Sequence, residues 1–142
     1  MPPVPPPLIR IAAVALLRNA HVLLVRKRGT DTFMLPGGKF EPEETAVETV
    51  CRELHEELGI AVAPQALELL GSFTAPAAHE PDHDVLAIVF VARLEEHLEP
   101  RPRAEIADLR LEPLASLAAD LAPLVRHCVL PTLQRLLCGV SA

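Results

Sequence analysis

One stretch of this 142-residue chain, residues 38–60, carries more pattern than the rest and reads GKFEPEETAVETVCRELHEELGI. From Val47 to Leu58, apolar residues recur at spacings of three and four positions, which predicts an amphipathic helix. Acidic residues occupy what would be its first turn, and Gly59 directly follows its last apolar residue, as is typical of helix ends. We therefore predict a helix over residues 43–58, ended by Gly59.

Three glutamates share one face of this predicted helix. Glu53, Glu56 and Glu57 are separated by three and four positions, and the apolar stripe that includes Leu54 occupies the neighbouring arc. Like charges at this spacing destabilise a helix by roughly 0.2–0.5 kcal/mol per pair, a cost that a bound divalent cation would remove. A solvated acidic face is the alternative interpretation, because Glu is a good helix former.

The residues before the helix predict a shaped loop over Phe33–Phe40. Pro36, Gly37 and Gly38 are not tolerated together in a regular helix. The two glycines allow the backbone to approach a ligand closely, and the loop leads to a helix start, where free N–H groups favour phosphate. An ordinary turn is the alternative for this tripeptide taken alone. With the helix behind it, we expect the loop and the carboxylate face to converge.

Together, the fixed positions of residues 38–60 resemble the Nudix box. That motif reads Gly, five residues, Glu, seven residues, Arg, Glu, an aliphatic residue, any residue, Glu, Glu, any residue, Gly and an aliphatic residue, and every fixed position matches here. Such a long motif is more specific than most short patterns. The flanking strands extend the resemblance, more loosely, to about residue 115. The matching residues are Gly38, Glu44, Arg52, Glu53, Leu54, Glu56, Glu57, Gly59 and Ile60.

The resemblance implies an α/β fold, namely an α/β/α sandwich in which a mixed β-sheet carries the box helix on one face. Apolar runs broken by polar or proline-containing segments predict the strands, and the first two read as a hairpin. A carboxy-terminal apolar stripe predicts a helical region that Pro131 should kink or split. The predicted strands are Ile9–Leu17, His21–Arg26, Leu67–Thr74, Val85–Leu94 and Leu109–Glu112, and the helical region is Leu121–Leu137.

Chain length predicts a single domain, residues 8–142, behind a flexible proline-rich tail, residues 1–7. The tail, MPPVPPP, lacks the features of a secretory signal, and the three cysteines form no CxxC pair, so we expect a reducing cytoplasm. The longest apolar runs are far shorter than the roughly 20 residues that span a bilayer. No membrane association is therefore expected.

The charge balance bears on the partners. The net charge is −6, with 19 acidic and 13 basic residues, whereas proteins that bind long nucleic acids usually carry a basic surplus. A small nucleotide remains a suitable partner if a divalent cation stands between its phosphates and the acidic protein. Because half of the residues are hydrophobic and the carboxy-terminal stretch is amphipathic, we also predict a homodimer.

The resemblance implies a metal-dependent pyrophosphohydrolase, which cleaves a phosphoanhydride bond in a nucleoside diphosphate linked to a further group. Its cofactor would be Mg²⁺ or Mn²⁺, held by Glu53, Glu56 and Glu57 together with the backbone carbonyl of Gly38. Mg²⁺ prefers oxygen ligands of this kind. Water would attack a phosphorus of the diphosphate, and no covalent intermediate would be needed.

Two further roles follow from the resemblance. Arg52 and Glu44 would pair to hold loop and helix in place, because a guanidinium forms a directional fork for a carboxylate. The general base would be Glu56 or Glu105. Glu105 lies in AEIADLRLEPLASL, which is similar to the segment that often supplies this base, although the tryptophan usual at the position of Leu111 is absent. A plain loop glutamate is the alternative for Glu105.

Substrate contacts are expected from the glycine loop and from the charged end of a neighbouring strand, formed by Arg26, Lys27 and Arg28, although such a strand end is often just solvated. The chain has no Trp or Tyr, so only its four Phe residues can stack on a base. The polar stretch Ala75–Asp84, which contains His79 and His83, is expected to form a loop near the substrate, and its spacing matches no structural zinc pattern. The candidate substrate-binding residues are Arg26, Arg28, Phe33, Gly37, Gly38 and Lys39.

The substrate itself stays open at this point. A short chain with this box resembles enzymes that remove damaged nucleoside triphosphates. The placement of Pro76 beyond the box is similar to that in hydrolases of ADP-ribose, a nucleotide sugar. An alternative of another class is a non-catalytic module that senses nucleotides, but such modules commonly lose box glutamates, and this box is intact.

Overall fold

The structure is a computed structural model and describes residues 3–137. Two helices, α1 (Ala46–Leu58) and α2 (Leu130–Leu137), flank a sheet, and a π-helical turn, Val125–Val129, runs directly into α2. The strands of this part of the chain are β1 (Leu8–Arg18), β2 (His21–Lys27), β3 (Phe33–Met34), β4 (Gly37–Lys39), β5 (Glu68–Pro76), β6 (Asp84–Arg93) and β7 (Ile106–Pro113).

The sheet is organised around β1. This strand pairs in parallel with β6, from Leu8 opposite Asp84 to Leu17 opposite Arg93. Two antiparallel partners share its other edge, because β2 pairs with its end and β4 pairs with Ile11–Ala13. The strand order β3-β2-β1-β6-β5, with β7 on β2, makes a mixed sheet whose β1 and β2 diverge where β4 enters.

Alternate residues of β1 face opposite helices. Val14 and Leu16 belong to the buried cluster that contains Leu54 of α1, whereas Ala15 belongs to the cluster that contains Leu133 of α2. Successive side chains of a strand point to opposite faces of a sheet, so the unbroken apolar run of residues 11–17 within β1 indicates burial on both faces. The predicted α/β/α sandwich with the box helix on one face is confirmed.

Helix α1 begins three residues later than predicted. Thr45 and Glu48 form a capping box, in which the Thr45 hydroxyl accepts from the Glu48 N–H at 3.1 Å and the Glu48 carboxylate accepts from the Thr45 N–H at 2.9 Å. Glu43 has a φ of 64°, which a right-handed helix excludes. Gly59 ends the helix in the left-handed conformation, as predicted.

The predicted loop at residues 33–40 contains two short strands. Gly37 and Gly38 lie in β4, opposite Ala13 and Ala12 of β1. A Cβ on Gly37 would overlap the carbonyl oxygen of Ala12, so only glycine allows the two strands to approach this closely. The glycines thus serve strand pairing as well as the loop.

The helical region at the carboxyl end changes its hydrogen-bond pattern next to Pro131. The Leu130 N–H donates to the carbonyl of Val125, which ends the π-helical turn, and α2 then proceeds in α-helical geometry. Proline lacks the N–H that an α-helix requires, and its position coincides with the change from π to α pairing. The hydrogen-bond pattern thus changes next to Pro131, while the helical run continues over residues 123–137.

Three further features concern the amino-terminal residues, the length of the helices and the cysteines. Residues 3–7 are exposed and lie outside the sheet, although the Asp84 N–H donates to the carbonyl of Pro7 at 2.9 Å. No helix within residues 3–137 is both long and apolar enough to cross a bilayer. Cys51 and Cys128 are free thiols, and Cys138 lies outside the described residues.

Candidate active site

Glu57 is the most deeply buried of the box carboxylates. It is 3% exposed, and its Oε1 accepts a hydrogen bond from the Gly37 N–H at 3.2 Å. Burial, reinforced by the neighbouring Glu53 carboxylate, raises the pKa of Glu57 to about 8. A carboxylate placed so far from water needs a cation beside it to stay ionised at neutral pH.

Glu53 lies between Arg52 and the glycine strand, which is β4 (Gly37–Lys39). A Cβ added to Gly38 would overlap the Glu53 carboxylate, so this side chain lies directly against the Gly38 backbone. The Glu53 Oε1 also accepts from Arg52 Nη1 at 2.6 Å. Burial raises the pKa of Glu53 even so, because its side chain is only 13% exposed.

Arg52 binds the chain that precedes α1 to the helix. Its Nε and Nη2 donate to the two oxygens of Glu44 at 2.6 and 3.0 Å, and Nη2 also donates to the carbonyl of Lys39 at 3.0 Å. Hydrogen bonds from Arg52, and from Thr49 at 2.6 Å, hold the pKa of Glu44 at about 2. The pair therefore fixes the glycine strand and the start of the helix relative to each other.

Glu56 lies farther out than the other two carboxylates. Its side chain is 51% exposed and reaches Arg52 Nη1 at 3.5 Å. In the part of the chain that the structure describes, no three acidic, His or Cys side chains converge on one point as a metal site. The carboxylates of Glu53 and Glu56 both contact the Arg52 guanidinium, at 2.6 and 3.5 Å. The oxygen donors still lie within one helical turn.

A cavity of about 460 Å³ opens beside these residues. Its charged end is formed by Arg52 and Glu53 together with side chains from the glycine strand, from β2 and from the segment before β7. Its other walls are largely apolar and come from the opposite face of the sheet. The charged residues are Lys27, Lys39, Glu41, Arg52, Glu53, Glu80 and Glu105, and the apolar residues include Ile9, Ile11, Met34, Leu35, Val85, Leu124 and Val125.

Glu105 lines this cavity opposite the box helix. Its side chain is 58% exposed and lies 3.8 Å from Lys27 Nζ, and its carbonyl accepts from the Arg28 N–H at 2.7 Å. Glu56 does not line the cavity. Of the two carboxylates considered as a general base, only Glu105 faces the space in which a substrate would lie.

Three of the predicted substrate contacts do not reach the cavity. Phe33 is buried, with the Arg110 guanidinium 3.9 Å from its ring centroid, so it cannot stack on a base. The Arg26 guanidinium donates to the carbonyl of Thr30 at 2.9 Å, and Arg28 is not among the lining residues. The predicted Gly37, Gly38 and Lys39 do line it.

Of the three basic residues at the end of β2, which were all expected near the substrate, only Lys27 lines the cavity. It lines the cavity because adjacent side chains of a strand point to opposite faces, and the pairing of β2 with β7 shifts register between Arg26 and Lys27. The alternation of side chains along a strand predicts that Lys27 faces the opposite side from Arg26 and Arg28. The register shift between β2 and β7, in contrast, has no signal in the sequence. The apolar walls were also missed, because they come from distant segments.

The polar loop between β5 and β6 lies beside the cavity, as the sequence predicts. Pro76, Ala78, His79 and Glu80 contribute to the wall. No carboxylate and imidazole cluster of the kind that holds a metal is present in the described part of this loop.

Comparison with known proteins gives one family. The family model described as the NUDIX domain matches residues 8–133. An ADP-ribose pyrophosphatase from Methanocaldococcus jannaschii is 35% identical over 77 residues, which cover 52% of this chain and 44% of the relative. A putative 8-oxo-dGTP diphosphatase from Bacillus subtilis is 31% identical over 70 residues, with coverages of 49% and 46%. The alignments thus span less than half the length of these two curated relatives.

Solved structures share the fold. A MutT NUDIX hydrolase from Burkholderia pseudomallei superimposes with a TM-score of 0.70 at 27% identity, and the match covers 84% of this chain and 93% of the other. The E. coli ORF135 protein superimposes with a TM-score of 0.73 at 23% identity, with coverages of 96% and 95%. The second likeness concerns the fold alone.

Proposed function

Because the chain belongs to the NUDIX family, we propose that it is a metal-dependent pyrophosphohydrolase, which cleaves a phosphoanhydride bond in a nucleoside diphosphate linked to a further group. One observation carries this proposal. The complete box brings the carboxylate of Glu53 and the backbone of Gly37 and Gly38 to the rim of one cavity, with the buried Glu57 directly behind them.

The donor set suits Mg²⁺ or Mn²⁺. The carboxylates of Glu53, Glu56 and Glu57 and the carbonyl of Gly38 are hard oxygen ligands, and the exposed Glu56 can turn from Arg52 towards its neighbours. When bound, the cation would polarise the phosphoryl oxygens, favour ionisation of the attacking water and neutralise charge on the leaving phosphate. Arg52 and Glu44 would keep the donors in place.

The side chains around the cavity suit an anionic substrate only in part. Lys27 and Lys39 supply positive charge for phosphates, but Glu41, Glu53 and Glu105 line the same space. The carboxylates would repel a diphosphate unless a cation lay between them, which supports the requirement for a metal.

Glu105 is our candidate for the general base, since it faces the cavity and Glu56 does not. Its carboxylate would accept the proton of the water that attacks phosphorus, and Lys27 at 3.8 Å would orient it. Glu105→Gln is expected to lower kcat about 10²-fold or more, with a small effect on KM. An unchanged kcat would return this role to Glu56.

Two substrate classes are proposed. Damaged nucleoside triphosphates are one class, since one relative carries the name putative 8-oxo-dGTP diphosphatase. ADP-ribose or another nucleotide sugar is favoured by Pro76, which lines the cavity, and another relative carries the name ADP-ribose pyrophosphatase. We rank the triphosphates first.

The deciding experiment assays the purified chain on oxidised nucleoside triphosphates, ADP-ribose and dinucleoside polyphosphates, with Mg²⁺ or Mn²⁺ and with chelator. Hydrolysis of at least one compound that chelator abolishes is the expected result. Binding of nucleotides without any turnover would instead identify a non-catalytic sensing module.

We also propose that the chain forms a homodimer and is located in the cytoplasm. Leu136 and Leu137 of α2 are exposed, which supports a homodimer that covers them. Light scattering at micromolar concentration that gave the mass of a single chain would contradict the dimer. The free thiols of Cys51 and Cys128 suit the cytoplasm, a location that expression of a fluorescent fusion would test.

A further inference from the structure

The loop between β5 and β6 presents an imidazole in the wall of the cavity. His79 lines the cavity from this loop. The loop is closed by main-chain hydrogen bonds from Ala77 N–H to the His83 carbonyl at 2.9 Å and from His83 N–H to the Glu80 carbonyl at 3.3 Å. His79 is therefore held on a short, internally bonded turn.

The Nε2 atom of His79 is the one buried side-chain nitrogen or oxygen within residues 3–137 that has no hydrogen-bond partner. An unpartnered buried polar atom destabilises the protein, and native structures rarely keep one without a role for it. His83 on the same loop differs, because its Nδ1 lies 2.8 Å from the carbonyl oxygen of Pro81. A ligand bound in the cavity that His79 lines would supply the missing partner.

The strand order places His79 far from the carboxylates. Gly38 lies on β4, and the sheet runs from β4 through β1 and β6 to β5, which leads into the loop. Three strand spacings amount to about 14 Å, comparable with the length of an extended nucleoside diphosphate. Ile9 and Val85, which are paired across β1 and β6, line the cavity between the two ends.

The proposed function places the phosphates at the carboxylate end of the cavity, and the inference rests on it. We propose that His79 determines specificity by hydrogen bonding through Nε2 to the nucleobase of the bound nucleotide. A base has flat apolar faces that suit Ile9 and Val85, and its edge carries donors and acceptors that suit an imidazole nitrogen. Glu80, which lines the cavity next to His79, disfavours a phosphate at this end.

The test compares the wild-type chain with His79→Leu, which removes the ring nitrogens and keeps an apolar side chain. Calorimetry measures the Kd of AMP, GMP and ribose 5-phosphate. We expect the Kd of at least one nucleoside monophosphate to rise about three- to tenfold, the effect of one lost hydrogen bond, with ribose 5-phosphate unchanged. KM for the matching substrate should rise alike while kcat changes less than twofold, and His79→Gln should recover part of the loss.

His83→Leu is the matched control, since it changes the other loop histidine, which does not line the cavity. Four results would each overturn the inference. In the variants, these are an equal rise of Kd in His79→Leu and His83→Leu, an equal rise of Kd for ribose 5-phosphate, and an unchanged Kd in His79→Leu. The fourth is a wild-type chain whose binding does not depend on the base. Failure of the proposed function is a different result. It would appear as a wild-type chain that hydrolyses no phosphoanhydride with either metal, and the base-dependent Kd difference could still be measured.

Discussion

At the scale of single residues, Glu57 combines a negative charge with near-complete burial. Glu57→Gln keeps the volume and an oxygen that accepts from the Gly37 N–H, but it removes the charge that would hold a cation. We expect the variant to fold while kcat falls by a factor on the order of 10² to 10⁴. Steady-state assays in Mg²⁺, with circular dichroism to verify folding, measure both quantities.

Glu48→Gln is the control on the same helix. Gln can still accept from the Thr45 N–H in the capping box, so both stability and turnover should stay close to those of the wild type. A Glu57→Gln variant with wild-type turnover and wild-type Mg²⁺ dependence would show that the helix does not hold the metal.

The raised pKa of Glu57 also predicts how the stability of the metal-free protein depends on pH. The carboxyl titrates near 4.5 in the unfolded chain and near 8 in the folded one, so the folded state binds more protons between these values. The free energy of unfolding should therefore fall as pH rises through this window. Urea unfolding in chelator at about pH 6 and about pH 8 should show a larger fall for the wild type than for Glu57→Gln.

The same titration bears on activity, because a protonated Glu57 cannot hold a cation. Turnover should rise from about pH 6 towards mildly alkaline values, as clustered carboxylates and a metal-bound water both lose protons. A rate that peaked near pH 5 would be incompatible with this assignment.

Residue types and their spacing were enough to predict the residues of the Nudix box. Which other residues line the cavity depends on their neighbours in the folded chain. Phe33 was expected to stack on a base, and nothing in the local sequence shows that Arg110, far along the chain, covers its ring. Arg26, Lys27 and Arg28 were equally plausible phosphate contacts from the sequence, because the register shift between β2 and β7 that separates them depends on long-range pairing. Such contacts are set by tertiary packing and leave no local pattern.

At the scale of elements, β4 depends on two glycines that meet different obstacles. In Gly38→Ala the new methyl group meets the far end of the Glu53 side chain, which can move, so the fold should survive while Mg²⁺ affinity and kcat fall at least tenfold. In Gly37→Ala it meets the backbone of Ala12 and Ala13, so stability should fall by about 2 kcal/mol or more. Thermal unfolding and Mg²⁺ titration distinguish the two. Equal loss of stability in both variants would contradict this explanation.

Helix α1 was the element that the sequence predicted best, because its apolar period and its end at Gly59 are local signals. Its start was misplaced although Thr45 and Glu48 have the spacing of a capping box, a signal that was available. The strand β4 could not be predicted, since its three residues become extended only by pairing with β1.

At the scale of the whole molecule, binding of a cation should stabilise the fold. A ligand at 100 times its Kd adds about 2.7 kcal/mol, which corresponds to a rise in Tm of about 5–10 °C for a domain of this size. We expect this rise for the wild type with Mg²⁺ or Mn²⁺, and a much smaller one for Glu57→Gln. Scanning calorimetry with and without chelator makes the comparison, and equal rises in both proteins would contradict a site at Glu57.

The resemblance to the Nudix box predicted the α/β/α sandwich, but it did not predict which residues line the cavity. Its apolar walls combine Ile9 of β1 with Val85 of β6 and Val125 of the π-helical turn, which the sheet brings together from three distant parts of the chain. Each of these residues looks like ordinary core in its own segment.

The parallel pairing of β1 with β6 has a consequence for synthesis on the ribosome. β1 leaves the exit tunnel first, but its partner from Asp84 to Arg93 follows only after α1 and β5 have been made. Until then one edge of β1, which contains the apolar run of residues 11–17, has no partner, and pairing across such a separation is slow. We therefore expect nascent chains that stop before β6 to be held by chaperones and to be cut readily by proteases, with protection gained once β6 has emerged.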